Sequence, residues 1–346
     1  MFKSHDFQNN LLKWYDTHAR VLPWRARPGQ DANPYYVWLS EIMLQQTTVP
    51  TVIPYFLKFI GLWPDIQALA EAPQEELLKE WAGLGYYARA RNLHKCAQVI
   101  VKEYKSLFPS RVEKLLDLPG VGPYTAAAIA AIAFNRPSVV IDGNIERVTA
   151  RIFAIQTPVK ESKAKFREKA GLLYEGIERP GDFAQGLMDL GATICIPQKP
   201  RCGLCPVRSF CRAYELGIQE ELPAKPVKKA KPQREGQVFW LENQFGQILL
   251  ERRDEKRMLG GMMALPTTGW DGKASSYIDQ MQEGQLKYVT DIYHSFTHFD
   301  LKLEIWSGVY NGKTDQDILV PKNDILSKGL PTVFMKAAKV MLSNEK

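Results

Sequence analysis

Long apolar runs are missing from this 346-residue chain: the longest, residues 126–134, is about half of the roughly 20 residues that cross a bilayer. Residues 1–10 are polar and lack the hydrophobic core of a secretion signal. The expectation from these two absences is a soluble, cytoplasmic protein. Cysteine is scarce too, with five in all, an odd number. Four of them crowd between residues 195 and 211, and Cys96 stands apart in a helical pattern. Without a secretion signal, such crowding points to metal ligation and not to disulfides. No internal repeat or long low-complexity segment is visible. With 45% hydrophobic and 24% charged residues, the composition excludes a fibrous or wholly disordered chain.

What the chain does have is an excess of positive charge. Lys and Arg number 45 against 38 Asp and Glu, a net +7 with a pI near 9.0, so the surface should attract polyanions, nucleic acid first among them. At about 150 residues per domain the length suggests two domains. Apolar residues recur at three- and four-residue intervals over 38–46, 74–81, 88–104, 124–134, 145–153, 163–174 and 183–194, with Pro and Gly punctuating between them. The first two-thirds therefore reads as an all-α domain. Residues 223–234 are rich in proline and lysine, cannot build a core and should run extended. Beyond them the period changes to two, at 237–241, 247–251 and 301–309, with helical patterns near 276–282 and 331–342. This predicts a small α+β domain, and the division expected is 1–217, a linker 218–234, and 235–346.

The strongest chemical signal is Cys195-x6-Cys202-x2-Cys205-x5-Cys211. Four thiolates within seventeen residues can close around one metal centre. An iron–sulfur cluster fits this spacing better than structural zinc, whose usual paired short spacings are absent, but zinc remains open. Lys199, Arg201, Arg208 and Arg212 make the module basic.

Leu118-Pro119-Gly120-Val121-Gly122-Pro123 leads into an alanine-rich helix, and its glycines and exposed helix-start N–H groups could receive a DNA phosphate; an ordinary turn would look similar. Asp142-Gly143-Asn144 opens the next helix, where Asp142 can cap and can also face a cationic reaction centre. Glu41 has Val37 and Leu44 as helical neighbours, so its carboxyl should be shielded and its pKa raised, suiting a general acid; a surface glutamate beside an imperfect apolar stripe would look the same. One shielded acid and one ionised carboxylate is an arrangement that breaks glycosidic bonds through an oxocarbenium-like state.

In this order these residues are similar to the helix-hairpin-helix DNA glycosylases that carry an iron–sulfur cluster, and among them the chain resembles the MutY-type adenine DNA glycosylases. The resemblance is dense in Leu22-Pro-Trp-Arg25, in 38–47, in 83–89, in 118–125, in 141–144, in Gln185-Gly-Leu-Met-Asp-Leu-Gly191 and in the cysteine spacing. It implies a multidomain fold: a helix-hairpin-helix domain with a cluster loop, then a Nudix-like α+β domain. It implies a [4Fe-4S] cluster on the four cysteines, and excision of adenine opposite 8-oxoguanine or guanine from double-stranded DNA after base flipping. Glu41 would protonate the base, Asp142 would stabilise the sugar cation, Asn144 would orient Asp142, and Tyr124 would line the same pocket. Arg20, Leu22, Trp24, Arg25 and Gln185 would surround the flipped adenine. Gln46, Thr47, Leu84 and Tyr86 would fill the stack and touch the opposite base, although core packing would equally account for Trp24 and Tyr86. Gly120, Val121 and Gly122 would hold a backbone phosphate. Bifunctional relatives carry a Schiff-base lysine where this chain has Tyr124, so a monofunctional enzyme is expected.

In the second domain the family's 8-oxoguanine-reading loop would be Phe296-Thr297-His298, although a plain strand end would also account for Phe296 and His298. No Gly-x5-Glu-x7-Arg-Glu-x2-Glu-Glu run occurs in 235–346, so pyrophosphate hydrolysis is not expected there. The segment Gly260-Gly-Met-Met-Ala-Leu-Pro266 departs from the family, and about four extra residues around Pro28–Ala32 suggest a longer surface loop. A monomer is expected, in a bacterial cytoplasm and associated with the nucleoid through DNA.

Overall fold

The computed structural model describes residues 2–224, 230–254, 257–271, 286–312 and 318–343. By their internal contacts these fall into two units, Met1–Leu84 with Arg89–Val227, and Gly85–Ala88 with Lys228–Lys346.

The first unit is helical throughout. It runs through α1 (Ser4–His18), α2 (Pro34–Leu44), α3 (Val49–Leu62), α4 (Ile66–Glu71), α5 (Gln74–Glu80) and α6 (Ala88–Tyr104). It continues with α7 (Val112–Leu116), α8 (Pro123–Phe134), α9 (Gly143–Ile152), α10 (Lys163–Tyr174), α11 (Pro180–Thr193) and α12 (Arg212–Glu215). Small side chains put α8 at the centre: from Thr125 to Ala131 every residue is buried, and α2, α7 and α11 all pack on it. α2 is equally enclosed, and Glu41, its only acidic residue, is carried inward with its apolar neighbours. Asn33 starts that helix by accepting from the Tyr35 N–H, and Pro34 occupies the first turn, where no N–H is needed.

One expectation shifts in detail, and α3 is a helix that the periods did not show: Pro50 sits in its first turn, and Pro54 lies inside it. The packed helical unit also runs past residue 217. Leu222 is buried with Ala150, Ile155, Phe166 and Ala213, and its carbonyl accepts from Arg151 Nε at 3.0 Å. An apolar side chain and a buried guanidinium thus hold the first part of the expected linker. No helix among the described residues is long and apolar enough to cross a membrane.

The second unit is built on a mixed sheet. Its strands are β1 (Gln233–Glu242), β2 (Gln247–Arg252), β3 (Met263–Ala264), β4 (Thr267–Thr268), β5 (Leu286–Ser295), β6 (Asp300–Val309) and β7 (Ile318–Pro321). The order is β3-β2-β1-β6-β5, with β4 against β1 and β7 against β2. β1 and β6 run parallel in register from Gln233 with Asp300 to Glu242 with Val309, and the other pairs are antiparallel. Alternation sends Leu301, Leu303 and Ile305 to one face, where α13 (Thr332–Ser343) covers them with Val333, Phe334 and Ala337. β1 begins at Gln233, two residues before the expected domain start, because its first residues already pair with β6. The expected helix near 276–282 lies outside the described residues.

Candidate active site

A cleft of about 840 Å³ opens in the helical unit between α2, the start of α8, the start of α9 and α11. Its walls bring together Arg20, Leu22, Trp24, Arg25, Glu41, Gln46, Thr47, Tyr124, Asp142, Asn144 and Gln185, residues up to 165 positions apart in the chain.

Glu41 lies at the core of this cleft and is only 7% exposed. The Tyr124 hydroxyl donates to Glu41 Oε2 at 2.8 Å. Burial pushes the Glu41 carboxyl up to about 7; the Tyr124 hydrogen bond and Arg25 oppose the rise, and Asp142 adds to it. Burial, with Glu41 and Asp142 nearby, also holds the Tyr124 phenol well above its ordinary range. This side chain therefore donates a hydrogen bond and keeps its proton.

Asp142 caps α9: its Oδ1 accepts from the Ile145 N–H at 2.7 Å and its Oδ2 from Asn144 Nδ2 at 2.9 Å. Burial leaves its pKa raised, and those hydrogen bonds, with Arg147, limit the rise. Capping and facing the cleft are thus compatible roles for one carboxylate. Asn144 fits closely against α11, because a Cβ on Gly191 would stand 2.6 Å from the Asn144 Cβ and 3.2 Å from its Cα. Arg147 Nη2 donates to Asn144 Oδ1 at 2.9 Å and to the Gly191 carbonyl at 2.7 Å, and its Nε donates to the Cys195 carbonyl at 2.8 Å.

Before α8, Gly120 has φ +76°, and a Cβ there would meet Asn92 Cβ at 2.8 Å. Glycine is therefore required at that position by conformation and by packing. Gly122 differs, since its φ is −92° and a Cβ would meet nothing within 4 Å. Val121 is buried, and its N–H donates to the Leu118 carbonyl within the turn.

Gln46, at the cleft rim, is exposed with φ 58°, and Tyr86 is exposed with φ 47°. Left-handed conformations on bulky residues store strain, and they concentrate at functional positions. Leu84 is buried and does not line the cleft. Arg89 fastens this region: its guanidinium donates to the carbonyls of Ile42 and Met43, each at 3.0 Å, to Thr47 Oγ1 at 3.3 Å and to the Leu84 carbonyl at 2.9 Å.

Sequence reasoning missed several contributors. Asp189, with no exposed surface, pairs with both Arg20 and Arg25. A carboxylate four residues after Gln185 in an apolar helix was the available signal. Arg147 and Arg151 carried no local signal, because the carbonyls they reach at Gly191, Cys195, Ile196, Pro197 and Leu222 lie on other elements.

The four cysteines line one small apolar-walled cavity together with Val148, Ile152, Leu190, Ile194 and Val207. They frame it without converging on a point: no three His, Cys, Asp or Glu among the described residues are placed to share one metal ion. Four thiols around a shared cavity suit a multi-atom cluster. Burial pushes the Cys205 thiol up to about 12 and raises Cys202 and Cys211, with the neighbouring sulfurs adding to each. Holding four thiolates there requires positive charge at the centre. Arg151 supplies some from outside, with Nη1 3.2 Å from Cys195 Sγ.

In the second unit, Phe296, Thr297 and His298 lie between β5 and β6. Phe296 stacks on Trp270 at 5.7 Å, packs against Phe299 at 4.9 Å, and its carbonyl accepts from Lys231 Nζ at 2.9 Å. Thr297 and His298 are exposed. Phe296 is thus the anchor of this loop and its two neighbours are the presented residues.

Comparison with known proteins agrees with this architecture. Residues 39–171 match the HhH-GPD superfamily of base excision DNA repair proteins, 195–211 the iron-sulfur binding domain of endonuclease III, and 237–340 the NUDIX domain. The chain is 34% identical to the adenine DNA glycosylase of Homo sapiens over 91% of its length and 69% of that protein's. It is 36% identical to the adenine DNA glycosylase of Buchnera aphidicola (subsp. Schizaphis graminum), with 86% of each chain covered. Among solved structures, a thermostable thymine-DNA glycosylase aligns with TM-score 0.53 and 32% identity over 62% of this chain and 97% of that one. Endonuclease III in a non-covalent DNA complex aligns with TM-score 0.51 and 22% identity over 63% of this chain and all of that one, a likeness of fold. With its helix-hairpin-helix domain, iron–sulfur binding cysteines and C-terminal Nudix domain, the chain belongs to the adenine DNA glycosylases, base-excision repair enzymes that hydrolyse N-glycosyl bonds.

Proposed function

We propose that this enzyme excises adenine paired with 8-oxoguanine or guanine in double-stranded DNA, acting as a monomeric, monofunctional glycosylase. The observation that carries this reading is the pairing of Tyr124 with a buried Glu41 beside Asp142 in one cleft. A base in a duplex must be extruded to enter such a cleft. Inside it, Glu41, half protonated near pH 7, donates a proton to the adenine ring. Protonation makes the base a better leaving group, and the Asp142 carboxylate stabilises the oxocarbenium-like sugar until water adds. Asn144 holds Asp142, and Arg20, Leu22, Trp24, Arg25 and Gln185 surround the base. No lysine occupies the Tyr124 position, so the strand is left uncut.

Gly122, whose missing side chain no internal packing requires, lets a phosphate approach the start of α8. Gln46, Thr47 and Tyr86 fill the gap in the stack and touch the opposite base, which the buried Leu84 does not reach, while Thr297 and His298, presented by the Phe296 anchor, read 8-oxoguanine. Cys195, Cys202, Cys205 and Cys211 hold a [4Fe-4S] cluster, which supplies structural cross-linking of the basic loop. The functional division is a glycosylase domain whose packing extends through Leu222 and a recognition domain that begins with β1 at Gln233.

The test is incubation with duplexes holding A opposite 8-oxoguanine, G or T, followed by alkaline strand scission. Cleavage at the first two and not at A opposite T is expected. Equal cleavage of all three would overturn the mispair reading, and scission without alkali would overturn the monofunctional one.

A further inference from the structure

We propose that Asp189 is a positioning residue for base excision: by pairing with Arg20 and Arg25 together it fixes both guanidinium groups on the cleft wall and keeps the charge of Arg25 from drawing the proton off Glu41. The proposal rests on the reading of Glu41 as the acid.

Asp189 lies on α11, one helical turn beyond Gln185, with no exposed surface. Its Oδ1 accepts from Arg20 Nε at 2.6 Å, and its Oδ2 accepts from the Arg20 backbone N–H at 3.0 Å and from Arg25 Nη1 at 2.8 Å. Both arginines belong to the segment between α1 and α2, which has no regular structure at these residues. Its place beside the cleft is therefore set by side-chain contacts and not by a backbone ladder. A fully buried carboxylate persists only when paired, and here two cations from one segment pair with it.

The charges around each partner make the consequence specific. Arg20 and Arg25 pair with Asp189, and Tyr15 from α1 feels its charge together with those of Arg25, of Asp182 on α11 and of Arg179 just before that helix. Arg179 is itself paired with Asp16 and Asp182. Facing Glu41 are Tyr124 from α8, Asp142 at the start of α9, and Arg25. Of these, Arg25 is the one full positive charge, and its pull favours the ionised carboxylate. The contact with Asp189 weakens that pull; without it, Arg25 acts on Glu41 more strongly.

The experiment is single-turnover adenine excision by the full-length holoprotein on an A/8-oxoguanine duplex between pH 5.5 and 8.5. Wild-type excision should fall as pH rises through about 7, the pKa of Glu41. In Asp189→Asn, close in shape but uncharged, the same fall should move about one unit toward acid. That displacement is a loss of about tenfold at pH 8 and less than about twofold at pH 5.5. Asp189→Glu, which keeps the charge, should keep the wild-type limb even if its rate drops. Arg25→Gln in the Asp189→Asn background should return the limb toward the wild-type position, whatever it does to the rate. A loss by one constant factor at all pH values in Asp189→Asn, or the displaced limb appearing in Asp189→Glu, would overturn the proposal. Glu41→Gln is run in parallel, since excision surviving in that variant would instead overturn the acid role beneath it.

Discussion

Exchanging Glu41 for glutamine should separate catalysis from stability. The Glu41 carboxyl is almost wholly enclosed, and burial, with Asp142 nearby, carries its pKa from 4.5 to about 7 against the Tyr124 hydrogen bond at 2.8 Å. Since the folded pKa is above the unfolded one, folding is favoured by protonation. The group's stabilising contribution is complete below about pH 4.5 and is lost as pH rises through about 7. A difference of about 2.5 units corresponds to about 3 kcal/mol once pH is well above 7. Glutamine carries no charge, and its carbonyl can still accept from Tyr124. Even allowing about 1 kcal/mol for an amide N–H left without a partner, Glu41→Gln should be about 2 kcal/mol more stable than wild type at pH 8.5. Near pH 4.5 that advantage should vanish. Urea unfolding of both proteins at the two pH values measures it, and single-turnover excision on the same preparations should fall at least about 100-fold. Equal stability differences at pH 4.5 and 8.5 would show that no buried ionisation at Glu41 opposes folding. Retained excision would place the acid elsewhere.

Other consequences are open to measurement. Gly191→Ala would bring a methyl group to 2.6 Å from Asn144 Cβ and 3.2 Å from its backbone Cα, so Asn144 must move off Asp142; excision should drop about tenfold or more while DNA affinity changes little. Purified protein should be yellow-brown, with about four irons and four sulfides per chain, and Cys205→Ser should lose both colour and thermal stability; colourless, fully active protein with one zinc would contradict this. Thr297→Ala should reduce the preference for 8-oxoguanine over guanine by about 5- to 150-fold, read from excision rates on the two duplexes. Because Phe296 is stacked on Trp270, Phe296→Ala should instead lower the stability of the second unit. Binding to an A/8-oxoguanine duplex should weaken steeply with salt, with a slope near −0.9 for each neutralised phosphate; affinity indifferent to salt would refute backbone contacts at Gly122 and the basic cysteine loop.

Much of the architecture was written in local sequence. Helix periods over 88–104 and 163–174 became α6 and α10, the alternation at 301–309 became β6, and four cysteines within seventeen residues lie around one cavity. Such features depend on neighbours a few residues away, so spacing alone reveals them. β5 escaped detection because a register shift between Tyr288 and Thr290 breaks its alternation, leaving only Ile292 fully buried. Glu41 and Asp142 could be picked out as carboxylates in the wrong surroundings for a solvated surface, but local sequence did not say that Tyr124 would reach Glu41. That contact spans 83 residues and exists because alanines along α8 let α2 pack directly on it. Likewise, the pairing of Asp189 with Arg20 and Arg25 joins positions more than 160 residues apart. Charge partners and pKa values belong to the space a side chain is folded into, and only tertiary packing, which excludes water and brings distant groups within about 3 Å, decides them.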